Sequence, residues 1–283
     1  MMLHVIVPVH NRAAISEAFA AATAKQTHSE YCLILVDDGC TDDTVARVRA
    51  CIGDTRLVVL KGSGNLWWAG ALQLAYVHLQ DKPSAENDAV LIINDDVKIA
   101  PDFFEQGLRV LSENRRACVQ AIGLDPVAGE VDRGAVADLR RLDFRPARER
   151  EVPNCLSTRG LLMTMGTFKR SGGFRPRWLP HYLSDYEFTL RLQRQGARLM
   201  VDDRFRLEMD LSATGIDSPS AGSVRELWRQ ALSNRAKFNP MQWSAFVLMA
   251  CPWTAVPGQL ARIWLRFART LLRTAMPRQR TAS

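Results

Sequence analysis

An α/β fold, a mostly parallel sheet covered by helices on both faces and followed by a basic helical tail, is what the 283-residue sequence predicts. Three observations predict it. Four times in the first hundred residues a short apolar, β-branched run gives way to a polar or Gly-rich turn and then to a helical pattern. Those runs are continuously apolar, as strands buried on both faces are. The positive charge is confined to the end of the chain. Between Ser223 and Ser283 ten Lys/Arg stand against one acidic residue, so that segment carries +9 and the preceding 222 residues −2. A body with that balance is not a nucleic-acid-binding surface, whereas the tail suits an anionic partner. With 47% hydrophobic and 24% charged residues the chain also has a core to bury, which excludes disorder, collagen and a small disulfide scaffold.

In order, the strands are expected at Leu3–Val9, Tyr31–Val36, Arg56–Leu60 and Ala89–Ile93, with helices at Ala13–Lys25, Thr44–Cys51 and Ala69–Gln80. Thr41 and Asp42 suit the N-cap of the second helix, because their side-chain oxygens accept free first-turn amides. Pro101–Glu113 reads as a helix and Cys118–Gly123 as a strand. Asp125–Arg150, charged and weakly periodic, reads as a surface excursion. Leu161–Phe168 is a strand and turn, Gly172-Gly173-Phe174 a tight loop, and Tyr186–Gln195 a helix ended by Gly196. Met1 to Pro8, with no basic start and no long apolar core, reads as leading into the first strand rather than as a leader. The six cysteines, with no CxxC pair and no zinc spacing, read as reduced buried thiols of a cytosolic protein.

In such sheets ligands bind beyond the carboxyl ends of the strands. There the sequence is polar: His10-Asn11-Arg12, Asp37-Asp38-Gly39, Gly62-Ser63-Gly64-Asn65 and Asn94-Asp95-Asp96 succeed the four strands. Any one of these could be a cap or a turn, but four in register converge on one edge. Adjacent acids repel unless a cation or hydrogen-bond donors compensate them. A divalent ion with a diphosphate ligand is an economical reason for Asp95-Asp96, and a capping loop before Pro101 is the alternative. Gly62-Ser63-Gly64-Asn65-Leu66-Trp67 is no dinucleotide fingerprint, since it comes after the third strand and Trp67 stands at the third glycine. Trp67 and Trp68 could stack on a ligand or pack under the next helix. Asp185 stands at a helix start, where amide dipoles favour its ionised form. It suits either a general base or an N-cap.

In the tail, Met241–Val256 is apolar but shorter than the ~20 residues that span a bilayer, and Pro252 interrupts it. Further on, Arg262, Arg266, Arg269 and Arg273 share one helical stripe, with Leu260, Ile263, Trp264, Phe267 and Leu271 on the other side. A basic amphipathic helix reads as a membrane-surface anchor, and packing on the body or on a second copy of the chain as a homodimer is the alternative.

Taken together, Val5 to Arg12, Val36 to Asp42, Asn94-Asp95-Asp96, Gly172-Gly173-Phe174 and Asp185 to Arg191 resemble family 2 glycosyltransferases, an inverting family with the GT-A fold. The resemblance runs from about residue 3 to 210, and Gly64 to Gly70 looks closest to the bacterial rhamnosyltransferase-like branch. It implies a nucleotide-sugar-binding half at 1–123, an acceptor-binding half at 124–222 and a tail at 223–283. Pro8, His10, Asn11, Arg12, Asp38, Gly64, Asn65, Trp68, Asn94 and Asp95 would bind the donor, with Asp38 on a pyrimidine ring of a UDP- or dTDP-sugar. Asp96 would hold Mg²⁺ or Mn²⁺, with Asp210 where relatives have a late His, and Asp185 would be the catalytic base. Asn94 replaces the first acid of the metal motif. The acceptor would be a glycan or lipid-linked sugar in cell-surface polysaccharide synthesis, at the cytoplasmic face of the inner membrane. A sugar-1-phosphate nucleotidyltransferase would need a basic Gly-rich loop after strand one, which His10-Asn11-Arg12-Ala13 does not offer. A non-catalytic nucleotide-sugar-binding protein at a membrane is the other alternative, against which Asp95, Asp96 and Asp185 argue.

Overall fold

The computed structural model describes residues 1–127, 129–209, 228–229, 231–234, 236 and 238–275. The first half alternates β1 (Leu3–Val9), α1 (Ala13–Ala24), β2 (Tyr31–Asp37), α2 (Thr44–Ile52), β3 (Leu57–Lys61), α3 (Trp67–Gln80) and β4 (Ala89–Ile92). Then come β5 (Val97–Lys98), α4 (Phe103–Glu113), β6 (Ala117–Asp125), β7 (Gly129–Asp132), β8 (Ala135–Asp138) and β9 (Asp143–Pro146). The rest comprises β10 (Leu161–Thr164), α5 (Met165–Arg170), α6 (Ser184–Arg194), β11 (Arg198–Met209), α7 (Pro240–Ala250) and α8 (Val256–Ala275).

Among the described residues nine strands form one sheet in the order β3-β2-β1-β4-β10-β6-β11-β5, with β7 paired to β6. The β1 to β4 side is parallel, β10 runs antiparallel between β4 and β6, and β11 is parallel to β6. Side chains alternate across β1: Val5 and Val7 join Phe103 and Phe104 in the core under α1, α2 and α4. Ile6 joins Leu72, Phe168 and Phe188 in the core under α3, α5 and α6. Burial on both faces is why these strands read as unbroken apolar runs.

Four local departures have physical causes. β3 starts at Leu57 because Asp54–Arg56 winds into a 3₁₀ turn. Met165–Arg170 is a helix rather than a turn, since the Thr164 hydroxyl accepts the Thr167 N–H at 3.2 Å. β11 has no clear sequence pattern because its register breaks between Val201 and Arg206, around the polar Asp202-Asp203. Asp125–Arg150 is more than a surface excursion. It supplies β7 and the β8–β9 hairpin, whose Ala135 and Ala137 join Cys155, Leu179, Leu190 and Phe246 in a third core.

That third core contains Phe246 of α7, so the C-terminal segment is packed on the body. Gln259, Ile263 and Phe267 of α8 are also buried, and Trp228 meets Phe267 edge-on at 4.8 Å. The apolar side expected for this helix is therefore divided. Ile263 and Phe267 face protein, and the exposed apolar residues are Trp264, Leu265 and Leu272. The arginines are also partly committed: Arg262 donates to the Arg141 carbonyl at 2.8 Å, and Arg266 lies 4.6 Å over the Phe238 ring. Among the described residues no helix is long and apolar enough to cross a membrane.

Candidate active site

The carboxyl ends of β1, β2 and β4 and the loop after β3 meet as the sheet rule requires. Asp38 is buried, and its carboxylate ties the edge together. Oδ1 accepts the Gly64 N–H at 2.8 Å, and Oδ2 accepts those of Leu66 at 2.9 Å and Trp67 at 3.3 Å. The last two are amides at the start of α3, where a negative charge is favoured, and the first belongs to the loop before it. Asp38 thus anchors the Gly64-Asn65 loop, and its remaining lone pairs are what it offers a ligand. Gly39 and Gly64, at φ of 74° and 86°, press backbone against backbone, and a Cβ on Gly39 would lie 2.7 Å from the Gly64 Cα. His10 Nδ1 donates to the Asp38 carbonyl at 2.6 Å, and the partly exposed Pro8 pairs with Val36 one residue before the strand end. Asn11, in a left-handed conformation at φ 50°, accepts the Thr41 N–H at 2.8 Å. Asp42 accepts the N–H of Ala13 at 3.2 Å and of Thr44 at 3.1 Å, serving α1 and α2 together, although Asp43 occupies the N-cap position of α2.

At the end of β4, Arg12 reaches both acids. One guanidinium nitrogen lies 2.9 Å from Asp95 Oδ1 and the other 2.9 Å from Asp96 Oδ2. Asp95 is 2% exposed and also accepts the Ser16 hydroxyl at 2.6 Å. Burial raises its carboxyl above the ordinary value, opposed by the Ser16 bond and by Arg12. Asp95 therefore holds Arg12 in place, while the Asp96 side chain is still 32% exposed. Asn94 Oδ1 is buried without a hydrogen-bond partner among the described residues. An open carboxylate beside an unpartnered amide oxygen fits a hard divalent cation completed by phosphate oxygens and water, the usual arrangement for Mg²⁺. Asp96 and Asn94 are the residues that would hold it. No group of three His, Cys, Asp or Glu side chains converges among the described residues, and Asp210 lies outside them.

Asn94 also lines a cavity of about 610 Å³, together with Trp68, Thr158, His181 and Asp185. Leu183, at φ 66°, turns the chain into α6, and Asp185 stands in its first turn. Its carboxylate does not cap the helix. It accepts the Thr158 N–H at 3.3 Å and the Ser184 hydroxyl at 3.1 Å instead. Thr158 in turn accepts the Trp68 indole N–H at 2.9 Å, so one loop residue fixes both the acid and the ring. Position at a helix start alone would favour the Asp185 anion. The structure reverses the direction, because removal from water raises this carboxyl and outweighs the bonds from Thr158 and Ser184. A carboxylate raised in this way is the stronger proton acceptor.

Glu187, the other acid of this stretch, has a structural task. It pairs with Arg191 at 2.8 Å, and Arg191 donates to the carbonyls of Ser171 and, at 2.7 Å, of Gly173. Phe174 then stacks on Phe188 at 4.2 Å. This explains why Gly172-Gly173-Phe174 and Asp185 to Arg191 occur together. Ser16 and Thr158 escape a reading of the sequence; the signal for Ser16 is a hydroxyl, one of two with Thr23, on the buried face of an apolar helix.

Residues 4–154 match Glycosyl transferase family 2. No curated protein sequence matches the chain. Among solved structures, the mannosyltransferase PcManGT from Pyrobaculum calidifontis in complex with GDP-Man and Mn²⁺ superposes with a TM-score of 0.56 at 19% identity, covering 96% of this chain and 78% of that one. S. aureus TarS 1–349 in complex with UDP-GlcNAc superposes with a TM-score of 0.59 at 16% identity, covering 95% and 73%. These likenesses carry the GT-A fold alone, whereas the family match extends over more than half of the sequence. By that match the chain belongs to glycosyl transferase family 2 and is a glycosyltransferase.

Proposed function

We propose that the protein moves a sugar from a nucleoside diphosphate sugar to a hydroxyl of a glycan or lipid-linked acceptor with inversion, using Asp185 as the base. One observation carries this reading: Asp185 and Asn94, the latter at the start of the acidic β4 end, line the same cavity. A sugar between them has a leaving diphosphate on one side and a proton acceptor on the other. Attack opposite the leaving group inverts the anomeric centre, through an oxocarbenium-like state that needs positioning more than a covalent nucleophile. A bound Mg²⁺ or Mn²⁺ would neutralise charge on the departing diphosphate. Arg12, held by Asp95, stands beside Asp96 as a second positive group. Pro8, His10, Asn11, Gly64 and Asn65 would shape the nucleoside end, with Asp38 on the base and Trp68 along the sugar. Structural neighbours are known with GDP-Man and with UDP-GlcNAc. Asp38 favours a pyrimidine nucleotide, and the Gly64 to Gly70 stretch a rhamnosyltransferase-like enzyme of cell-surface polysaccharide synthesis.

A thermal-shift screen of nucleotide sugars with Mn²⁺ and Mg²⁺ tests the donor. A specific donor at 100 times its dissociation constant is expected to stabilise the protein by ~2.7 kcal/mol. If no nucleotide sugar raises the melting temperature with either metal, the reading fails. Slow hydrolysis of the stabilising donor in the absence of acceptor is expected of an enzyme and not of a binding protein.

The outward face of α8 supports action at the cytoplasmic surface of the inner membrane. Leu265 and Leu272 are 57% and 60% exposed, Trp264 lies beside them, and the exposed Arg262 and Arg269 lie on the adjoining stripe. Trp253, just before this helix, is 84% exposed. Apolar burial and attraction to anionic lipid act together on such a face. Leu265→Asp with Leu272→Asp is expected to abolish co-sedimentation with anionic vesicles while the nucleotide-sugar melting shift persists. Unchanged sedimentation would sink the membrane reading.

A further inference from the structure

The cavity that holds Asp185 has a second wall that the donor does not account for. Phe144 of β9 and Tyr186 of α6 stack nearly parallel, at 5.4 Å and 16°. Trp243 of α7 closes the corner, its ring inclined 68° to Phe144 at 6.0 Å. All three line the cavity and all three are only partly buried. Phe144 and Trp243 also meet the buried Phe246 at 5.8 and 6.2 Å, so the cluster is the outer edge of the third core. Its partly exposed rings line the space shared with Asp185.

Polar groups share that space. Asp132 lines it and accepts the Ser157 hydroxyl at 3.0 Å; Thr158 and His181 stand nearby. Flat apolar faces meeting at an angle, with carboxylate and hydroxyl groups between them, match one kind of ligand. A pyranose has an apolar face of ring C–H groups and a rim of hydroxyls. An acyl chain would satisfy the rings but offer the polar groups between them no hydrogen-bond partner in exchange for water.

We propose that Phe144, Tyr186 and Trp243 form the acceptor subsite, stacking a pyranose ring so that one of its hydroxyls is presented to Asp185. The proposal rests on Asp185 being the base, and it adds the class of acceptor and the element that selects it. Trp243 lies on α7, outside residues 4–154 that match the family, so part of acceptor choice is assigned to the C-terminal helices. The same helices carry the exposed face of α8, which places acceptor recognition and the outward apolar stripe on one packed unit.

Binding can be read without donor or turnover. Saturation-transfer NMR on the full chain would use a panel of methyl pyranosides, with sorbitol as an open-chain polyol and 1-hexanol as an apolar chain. At least one pyranoside is expected to take up saturation, most strongly on the C–H protons of one ring face, and sorbitol is not. Trp243→Leu fills the space without a flat ring and is expected to weaken the pyranoside about tenfold, whereas Trp243→Phe keeps most of the affinity. The melting shift with UDP and Mn²⁺ should be the same in all three proteins. Sorbitol binding as well as the pyranosides, saturation of hexanol alone, or equal pyranoside affinity in Trp243→Leu would each overturn the subsite. Loss of the UDP shift in the wild-type protein would instead strike the donor reading and leave this one standing.

Discussion

Asp185→Asn is expected to retain nucleotide-sugar affinity and to lose transfer by about 100-fold or more, the range over which a positioned general base acts. Amide for carboxylate preserves the shape: its oxygen can still accept the Thr158 N–H, and its NH2 can donate to the Ser184 hydroxyl, which then donates to the His181 carbonyl; these replace the contacts the acid makes at 3.3 and 3.1 Å. What it removes is the proton acceptor. The pH dependence sharpens the test. Burial raises the Asp185 carboxyl, so the protonated, inactive form persists to a higher pH than for a free aspartate. Transfer by the wild type should fall as pH drops through that raised value, and the residual rate of the variant should not show this limb. The stability effect runs the other way. A carboxyl whose folded-state value is raised binds its proton more tightly in the folded chain, so stability declines as pH rises past the unfolded value. At neutral pH the Asn variant should therefore melt higher than the wild type, while a structural cap would make it melt lower. Steady-state rates and melting curves between pH 4 and 8 decide. A fall in donor affinity matching the fall in rate would remove Asp185 from the role of base.

Much of this site is legible in the sequence because it obeys periodic rules. Parallel strands announce themselves as unbroken apolar runs, and the residues just past each carboxyl end must be polar where they meet a ligand. His10, Asp38, Gly64 and Asn94 stand out in that way. Their individual tasks are less legible. Asp38 looks like a ligand for a base, yet its two oxygens receive three amides, one from the Gly64 loop and two from the α3 start. That contact joins residues 26 to 29 positions apart, and a local reading does not see it. Asp185 reads as a charged helix-start residue because first-turn acids are favoured by the dipole. The burial that reverses its direction arises only in the folded chain, where the loop carrying Thr158, 27 positions away, comes to lie against it. The cluster of Phe144, Tyr186 and Trp243 assembles from three distant segments, none of which has a pattern pointing to the others. The basic stripe of α8 is visible in the sequence, but which apolar side turns inward depends on the partner surface. Ile263 and Phe267 found one, and Leu265 and Leu272 did not.

Asp96→Asn is expected to abolish metal-dependent diphosphate binding and transfer while leaving the fold intact. The side chain is 32% exposed, and the Arg12 with which it pairs is shared with Asp95. An exposed pair of this kind adds little to stability, about 0–1 kcal/mol, so the melting temperature without ligand should barely move. The cost falls on the cation instead. Asn94 is neutral, and Asp95 is turned toward Ser16 and Arg12, so Asp96 is the carboxylate of this motif left open to a divalent ion. Replacing it leaves two neutral amide oxygens, which hold Mg²⁺ poorly. Arg12→Ala provides the contrast, because it strips the counter-charge from Asp95, whose side chain is 1% exposed. Breaking a fully buried pair costs about 3–5 kcal/mol, and the partial exposure of Arg12 lowers that figure. The two variants should thus separate: Asp96→Asn folds normally and ignores Mn²⁺, whereas Arg12→Ala melts several degrees lower even without ligand. Titration of UDP at increasing Mn²⁺, monitored by melting temperature, measures both. Normal transfer by Asp96→Asn at the same Mn²⁺ concentration would take the metal away from this residue.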